Sequence, residues 1–306
     1  MKLVSLITVN FNQPLVTEAL LESVITLNHY KNIEVIVVDN GSRHNPVPAW
    51  EQKYPQFRFI RSDTNLGFAG GNNLAIRKAN GACVFLVNND TIVTAGLISK
   101  LVQALDTHRE AGVVSPLIHY YDQPDMIQYA GYTPMNFYTG RNSCIGQFEE
   151  DKRQYDGPAR ETAYAHGAAM MVNREVLEKA GLMDERYFLY YEELDWCERI
   201  RRAGYRIFFE PSALIYHKES VSVGKTTGLK EFFMHRNRIL FMRKNAGAAA
   251  FTIFCMYYAA VVVPKSIIRY ILDGHLRLVP VMFRAIGWHF THPADSTDPG
   301  YPVSVA

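Results

Sequence analysis

Residues 82–90 read ACVFLVNND, an apolar and β-branched run that ends in two asparagines and an aspartate. Two earlier stretches have the same form, because Leu3–Val9 and Ile33–Val38 are apolar and are each followed by Asn or Asp. Helical patterns separate the three stretches. Strands that alternate with helices predict a sheet covered by helices on both faces. The predicted fold class is therefore α/β, with a mostly parallel central sheet.

The polar residues at the ends of these strands predict a ligand site. Ligands of open α/β sheets bind beyond the carboxyl ends of the strands. In this sequence those ends carry Asn10 and Asn12, Asp39 and Asn40, and Asn88 and Asp90. Asn and Asp are also common in turns, so a single pair has a structural alternative. Three strand ends in register favour a site.

The net charge of +2 is the sum of two parts of the chain with opposite charge. Residues 225–290 hold ten Lys and Arg side chains against Glu231 and Asp273, so this stretch is +8 and the remainder is −6. Such an asymmetry indicates different surroundings for the two parts. Residues 246–263 are 18 residues without a charge that end before Pro264, at the lower limit for a membrane span. The small net charge gives no sign of a nucleic-acid partner, and we expect none.

Several common enzyme classes lack their motifs here. The first strand is followed by Asn10-Phe11-Asn12-Gln13-Pro14, where a dinucleotide fold needs a Gly-rich turn. Gly224-Lys225-Thr226 resembles the end of a P-loop, but Glu219 occupies the position of the required first glycine. No G-x-S-x-G nucleophile elbow is present.

The order of the remaining motifs resembles family 2 glycosyltransferases with a GT-A fold, in particular the rhamnosyltransferase-like enzymes of bacterial polysaccharide synthesis. The matching pieces are TVNFN (8–12), VVDNGS (37–42), NLGFAGGNN (65–73), FLVNND (85–90), GAAMM (167–171), FLYYEELDWC (188–197) and Tyr216-His217. They cover about residues 3–220 in the order of the family. Each motif alone is weak evidence for the family, whereas the ordered series of motifs is specific to it.

The resemblance implies an inverting, metal-dependent glycosyltransferase. It would move a sugar from a nucleotide-diphosphate donor, with dTDP-rhamnose favoured and UDP-sugars next, to a hydroxyl of a glycan or lipid-linked saccharide. We expect residues 1–225 to form the catalytic domain, with 1–110 as its nucleotide-binding half and 111–225 as its acceptor-binding half. Residues 226–306 would form a basic helical extension at the cytoplasmic face of the cell membrane. A buried helical hairpin and a true span remain alternatives for this extension.

The resemblance also implies the metal and donor residues. Asp90 would hold Mg²⁺ or Mn²⁺, with His217 near the metal or the diphosphate. Asn88 is neutral, which departs from a two-carboxylate D-x-D motif and predicts weak metal binding without donor. The implied donor-binding residues are Val9, Asn10, Asn12, Asp39, Ser42, Asn65, Gly67, Gly71, Asn72, Asn88 and Asn89. The alternatives are an Asn-Asn-Asp turn, an Asx-turn at Asp39, a flexible start of the helix after Gly67, and a structural histidine.

Three carboxylates, Glu192, Glu193 and Asp195, stand at the start of a predicted helix. Displacement at an anomeric carbon needs a carboxylate that takes the proton of the acceptor hydroxyl. The resemblance implies Glu193 for this role, with Glu192 as the alternative. Acids also stabilise helix N-termini, which is the structural interpretation, above all for Asp195. The implied acceptor-binding residues are Gly167, Ala168, Tyr191, Asp195 and Trp196, with core packing as the alternative for the aromatic ones.

Two functions from other classes stay open on the sequence. A nucleotidyltransferase shares a related α/β core, but it would usually carry a Gly-rich basic loop after the first strand, which residues 10–14 lack. A non-catalytic, membrane-bound glycan-binding protein would keep its function when Glu193 is replaced.

Overall fold

The computed structural model describes residues 1–218 and 227–302. The first half of the chain contains β1 (Val4–Asn10), α1 (Pro14–Leu27), β2 (Ile33–Asn40), α2 (Val47–Lys53), β3 (Arg58–Ser62), α3 (Gly67–Ile76), β4 (Cys83–Val87), β5 (Thr91–Val93), α4 (Leu97–Thr107), β6 (Ala111–Tyr120) and β7 (Gln123–Tyr129). There follow β8 (Arg160–Glu161), β9 (Ala169–Asn173), α5 (Arg174–Ala180), a 3₁₀ turn (Glu185–Tyr187), α6 (Glu192–Arg202) and β10 (Arg206–His217). The C-terminal part consists of α7 (Gly228–Asn245), α8 (Ala248–Tyr257), a π-helical turn (Tyr258–Val262), α9 (Val263–Leu272) and α10 (Leu278–Thr291).

The strands form one sheet in the order β3-β2-β1-β4-β9-β6-β10-β5, with β7 beside β6 and β8 beside β10. Strands β1, β2, β3 and β4 are parallel, and β6 and β10 run in the same direction as these four. The prediction of an α/β fold with a mostly parallel sheet is confirmed. Strand β9 lies antiparallel between β4 and β6, so its first residues lie beside the carboxyl end of β4.

Both faces of the sheet are buried, which is why its central strands are almost continuously apolar. Leu6 of β1 packs with α1 and α4 in one cluster, whereas its neighbour Ile7 packs on the other face with α3, α6 and α7. Adjacent strand residues point to opposite faces, so a single strand contributes to both layers.

Helix α7 belongs to the core on one face of the sheet. Its Phe232, Leu240 and Phe241 are fully buried, and Leu240 and Phe241 share a cluster with Ile7 of β1. The sequence predicted the helices after Gly228, but it did not predict that the first of them packs against the sheet. The expected boundary between residues 225 and 226 lies outside the described residues.

One helix among the described residues is long and apolar enough to cross a membrane, judged by length and composition. It runs over Ala248–Leu272 through α8, the π-helical turn and α9, with a mean hydropathy of 1.7 and 22% of its most apolar window buried. The π-helical turn directly precedes Pro264, whose ring would clash with a regular helix. The helix thus continues past the proline that the sequence placed at the end of the apolar stretch.

Candidate active site

The ends of β1 and β2 are joined by a buried hydrogen-bond network. Asn10 and Asp39 are register partners, and Asn10 Nδ2 donates to Asp39 Oδ1 at 2.8 Å and to Ser42 Oγ at 3.1 Å. The backbone N–H of Asn12 also donates to Ser42 Oγ, at 2.8 Å. Asn10, Asp39 and Ser42 are all buried. The structure thus brings together four residues that the sequence predicted to bind the donor.

Arg61 completes this network and was missed by the sequence analysis. It stands beside Asp39 in the register of β2 and β3, forms an ion pair with Asp39 Oδ2, and donates from Nη2 to Ser42 O at 2.8 Å. A carboxylate oxygen accepts more than one hydrogen bond, so Asp39 retains acceptor capacity for a ligand. The signal in the sequence was a cation at the end of the third predicted strand.

The glycine-rich start of α3 fits closely between neighbouring segments. Gly67 has φ +73°, and a Cβ there would lie 2.3 Å from Phe188 O. Asn65 Oδ1 accepts from the Gly67 N–H at 2.9 Å and from Asn40 Nδ2 at 3.1 Å. At Gly71, a Cβ would meet Val9 Cγ1 at 2.9 Å. Packing therefore accounts for both glycines, and donor binding by Val9, Asn65, Gly67 and Gly71 stays a prediction.

Two further predicted donor residues are bonded within the protein. Asn72 is buried and donates to Phe68 O in its own helix at 2.9 Å. Asn89 Nδ2 donates to Thr17 Oγ1 at 3.0 Å, and Thr17 in turn donates to Asn10 Oδ1 at 2.9 Å. Asn89 is therefore linked to Asn10 through Thr17, and Asn72 stabilises α3.

Asp90 and His217 face each other at the junction of β5 and β10. His217 Nε2 lies 3.1 Å from Asp90 Oδ1, while His217 Nδ1 lies 2.8 Å from Gln128 Oε1. The contact is an ion pair when the imidazole is protonated, whereas the tautomer with its proton on Nδ1 would leave the Nε2 lone pair free for a cation. Apart from this contact, Asp90 Oδ1 and Asn88 Oδ1 are buried and accept no hydrogen bond from the residues that the structure describes. These acceptor atoms fit a bound cation.

The protein contribution to such a cation site is small. Within residues 1–218 and 227–302, no group of three or more His, Cys, Asp or Glu side chains converges as a metal centre. Mg²⁺ at phosphates commonly takes only one or two protein ligands, and substrate oxygens and water supply the rest. Asp90 and His217 would supply that small number of protein ligands.

Glu192 and Glu193 begin α6 next to the start of β9. Glu193 is half-buried, and a Cβ at Gly167 would lie 3.7 Å from Glu193 Cγ. Glu192 is buried, and its Oε2 has no hydrogen-bond partner in the described chain. Burial raises the pKa of Glu193 to about 7. Burial, and then the charge of Glu193, raise the pKa of Glu192 well above its usual range. Of the two carboxyls, Glu192 is thus the one more strongly favoured in its protonated form, whereas Glu193 exchanges its proton near neutral pH.

The first residues of β9 connect these carboxylates to the end of β4. Asn88 N donates to Ala168 O at 2.9 Å, and Ala168 N donates to His166 Nδ1 at 3.1 Å. His166 stacks on Tyr132 and meets the His217 ring edge-on at 6.2 Å between centroids. Burial, and then His217, lower the pKa of His166 to about 3, so its ring is neutral. Nothing in the local sequence pattern distinguished His166.

Two predicted acceptor residues are buried inside the protein. Asp195 is fully buried, and its carboxylate is bonded by the side chains of Tyr187, Arg199, Lys244 and Asn245 at 2.8–3.1 Å. Trp196 is fully buried, with Nε1 donating to Gly181 O at 2.8 Å. Both side chains thus help to hold α6 in place, and acceptor binding by them stays a prediction. Tyr191 is half-buried, with its ring centroid 5.9 Å from that of Phe241.

The loop before Glu192 is strained and is held by α7. Tyr190 and Tyr191 have φ values of +70° and +74°, in the left-handed region. Asn237 of α7 is fully buried, and its Nδ2 donates to the carbonyl oxygens of Tyr187, Leu189 and Tyr190 at 2.7–2.8 Å. Strained backbone persists only where its surroundings fix it. The basic C-terminal part of the chain thus positions the two carboxylates.

This chain is similar in sequence to known proteins. Residues 5–181 match the profile described as Glycosyl transferase family 2. The chain is 24% identical over 238 residues to an N-acetylglucosaminyl-diphospho-decaprenol L-rhamnosyltransferase of Mycobacterium tuberculosis, covering 71% of this chain and 77% of the relative. It is 28% identical over 181 residues to a low-salt glycan biosynthesis hexosyltransferase of Haloferax volcanii, covering 57% and 55%.

Solved structures with low sequence identity share the fold. A mannosyltransferase from Pyrobaculum calidifontis, in complex with GDP-Man and Mn²⁺, superposes with a TM-score of 0.58 at 14% identity, covering 94% of this chain and 87% of that one. TarS 1–349 of S. aureus, in complex with UDP-GlcNAc, gives a TM-score of 0.60 at 15% identity, covering 93% and 80%. The predicted GT-A fold is confirmed.

Proposed function

Because this chain belongs to glycosyltransferase family 2, we propose that it moves a sugar, with rhamnose favoured, from a nucleotide-diphosphate donor to a hydroxyl of a glycan or lipid-linked saccharide. Glycosyl transfer in glycan synthesis follows from the family and its relatives. The choice of rhamnose and of a lipid-linked acceptor is supported by the name of the mycobacterial relative. The proposed donor is dTDP-rhamnose, with UDP-sugars next.

The observation that carries this proposal is the adjacency of two chemically different groups. His217 Nε2 lies 3.1 Å from Asp90 Oδ1, and Asn88, two residues before Asp90, is bonded to Ala168 just before β9. Gly167, the preceding residue, packs against Glu193. The proposed cation site and the Glu193 carboxylate, whose pKa burial raises to about 7, therefore adjoin the same strand ends.

Asp90 and His217 are the residues that would hold Mg²⁺ or Mn²⁺ at this edge of the sheet. A divalent cation bound there would neutralise the charge of a departing nucleoside diphosphate. The neutral Asn88 lowers the charge of the site, so we propose that the metal binds together with the donor.

Glu193 is proposed as the general base of a direct, inverting displacement. Its carboxylate takes the proton of the acceptor hydroxyl as that oxygen forms a bond to the anomeric carbon, and the bond from this carbon to the diphosphate oxygen breaks. Burial and the neighbouring charge raise the pKa of Glu192, so ionisation of a second carboxyl beside the base is disfavoured. Asp39, held by Asn10 and Arg61, is proposed to accept hydrogen bonds from the base or ribose of the donor.

We also propose that the protein works at the cytoplasmic face of the cell membrane. The apolar helix over Ala248–Leu272 and the excess of cations in residues 225–290 support this location. Residues 1–110 are proposed to bind the nucleotide, 111–225 the acceptor, and 226–306 to face the membrane.

A panel of nucleotide sugars tests the proposal. The full chain is incubated with dTDP-rhamnose, UDP-sugars and GDP-mannose, with and without Mn²⁺ or Mg²⁺, and with an N-acetylglucosaminyl-diphospho-lipid acceptor. The expected result is metal-dependent release of a nucleoside diphosphate from one donor and a product whose anomeric configuration is opposite to that of the donor. Absence of binding and release with every donor would contradict the proposal. Pyrophosphate release from a nucleoside triphosphate would instead indicate a nucleotidyltransferase.

A further inference from the structure

The helix over Ala248–Leu272 has one face on the protein and one face outward. We propose that this helix lies flat on an anionic lipid bilayer instead of crossing it, and that its outward face, with the turn after it, is the membrane-docking surface. This inference rests on the proposed function only for its location at a membrane.

The outward face is apolar along the whole helix. Its exposed large side chains are Ile253, Met256, Ile268, Ile271, Leu272 and, in the following turn, Leu276. Their exposed fractions range from 43% at Ile253 to 80% at Leu272. Ala260 and Pro264 are exposed between them, so spacings of three and four residues continue one stripe from Ile253 to Ile271. These six large residues and the flanking Lys265 and Arg277 define the docking surface.

The inward face is fixed to α7 by a complete hydrogen-bond network. His235 of α7 bonds Tyr258 through Nδ1 and Tyr270 through Nε2, the latter at 3.0 Å. Tyr270 OH also lies at hydrogen-bond distance from Glu231 Oε2, which Arg269 approaches at 3.1 Å. One tautomer satisfies every group, because Tyr258 donates to Nδ1, Nε2–H donates to Tyr270, and Tyr270 donates to Glu231.

This network is incompatible with a membrane span. Tyr258 and Tyr270 lie in the two halves of the helix and meet the same histidine, so both halves are fixed to α7. Insertion across a hydrocarbon core of about 30 Å would strip both tyrosines from His235 or carry Glu231 into lipid. Helix α7 cannot follow, because its fully buried Asn237 holds the loop before Glu192. The helix therefore stays parallel to the bilayer plane.

The charge around the surface selects anionic lipid as the occupant. Lys265 and Arg277 are exposed at the apolar stripe, and Asp273 is exposed in the turn between them. The stretch 225–290 as a whole contains ten cations against two acids; of the cations, Arg236 is buried and Lys244 is paired with Asp184 and Asp195. Of the two acids in this stretch, Glu231 is already engaged by Arg269 and Tyr270. A second copy of the chain would bring the same positive charge to the interface, whereas anionic headgroups complement it.

Vesicle flotation tests the docking surface. The full chain is mixed, without nucleotide sugar, with vesicles of phosphatidylcholine alone or with added phosphatidylglycerol. Binding is expected to be at least about tenfold tighter to the anionic vesicles and to weaken in 0.5 M salt. Ile268→Glu with Ile271→Glu is expected to abolish binding, whereas Ile25→Glu, at a 45% exposed isoleucine of α1, leaves it unchanged. Equal binding to both vesicle types, or an equal loss in both variants, would overturn the proposal.

Two further measurements make the result decisive. Alkaline carbonate extraction of cell membranes is expected to release the protein, and retention in the membrane pellet would show a span. The charge variant Lys265→Glu with Arg277→Glu leaves the apolar face intact and is expected to lose the preference for anionic lipid, which covers the case that the isoleucine variant fails to fold. Because no donor is present, failure of the glycosyl-transfer assay leaves these outcomes unaffected.

Discussion

At the scale of single residues, Glu193 owes its proposed role to a half-buried position beside the buried carboxyl of Glu192. Burial raises the pKa of Glu193 from 4.5 to about 7, and only the ionised carboxylate takes a proton from an acceptor hydroxyl. We therefore expect kcat/KM to rise with pH and to level off above about 7. The measurement is the pH dependence of kcat/KM at saturating metal. A rising limb centred near 4.5, the ordinary value for glutamate, would contradict the assigned environment.

The proposed metal ligands Asp90 and His217 lead to a prediction about activation by metal. Asp90→Asn and His217→Ala each remove one ligand, so the Mn²⁺ concentration for half-maximal activity is expected to rise at least about tenfold. The matched control is His119→Gln, because His119 has the same pair of contacts, with Nε2 3.1 Å from the Asp151 carboxylate and Nδ1 2.6 Å from Pro124 O, but is not a proposed metal ligand. Unchanged Mn²⁺ activation in both variants, or an equal shift in the control, would refute the metal assignment.

Arg61 gives a prediction about stability. Arg61→Gln leaves the fully buried Asp39 carboxylate without its cation, which is expected to lower the free energy of unfolding by about 3 kcal/mol. Arg206→Gln is the control, because Arg206 pairs with Glu161 where both side chains are more than half exposed, and such pairs contribute about 1 kcal/mol or less. Urea unfolding of both variants measures the difference. Equal small losses would show that Arg61 does not stabilise Asp39.

The sequence predicted the polar residues at the strand ends, because a strand followed by Asn or Asp is a local pattern. Asn10, Asp39 and Ser42 were therefore expected together, and they are bonded to one another. Arg61 was missed because its partner is fixed by strand register. The partners of Asp195 could not be predicted, because Lys244 and Asn245 come from α7, some 50 residues later, and no local pattern predicts such contacts.

At the scale of elements, strand β9 is the feature that builds the site. The sequence predicted a strand near residues 167–172, but not its direction, which depends on long-range pairing with β4 and β6. Its antiparallel course places Gly167 and Ala168 beside the carboxyl end of β4. The sequence also did not predict that the apolar helix continues past Pro264, because this depends on the π-helical turn before the proline.

Helix α7 gives the prediction at this scale. Asn237→Leu leaves three carbonyl oxygens of the strained loop without their donor, which is expected to lower the free energy of unfolding by about 2–3 kcal/mol. We expect kcat to fall as well, since Glu192 and Glu193 follow this loop. Urea unfolding and initial rates measure the two effects. Asn32→Leu is the control, at an exposed asparagine that donates to one carbonyl, and an equal effect there would contradict the role of Asn237.

At the scale of the whole molecule, the charge asymmetry of the sequence acquires a structural meaning. The acidic part contains the sheet and the strand-end site, and the basic part contains α7–α10. The sequence predicted this division, but α7 belongs to both parts, because its buried face packs in the core while Glu231 and His235 hold the apolar helix. The proposed docking surface and the proposed base are thus joined through one helix.

The central claim is that Glu193 removes the proton of the acceptor during sugar transfer at this site. The most direct measurement compares nucleoside diphosphate release by the wild-type chain and by Glu193→Gln, with the donor Kd of each measured by calorimetry. The account predicts a kcat reduced by about 10²–10⁴-fold in the variant, while the donor Kd changes by less than about twofold. Full activity in Glu193→Gln, or no release by the wild-type chain with any nucleotide sugar, would contradict it.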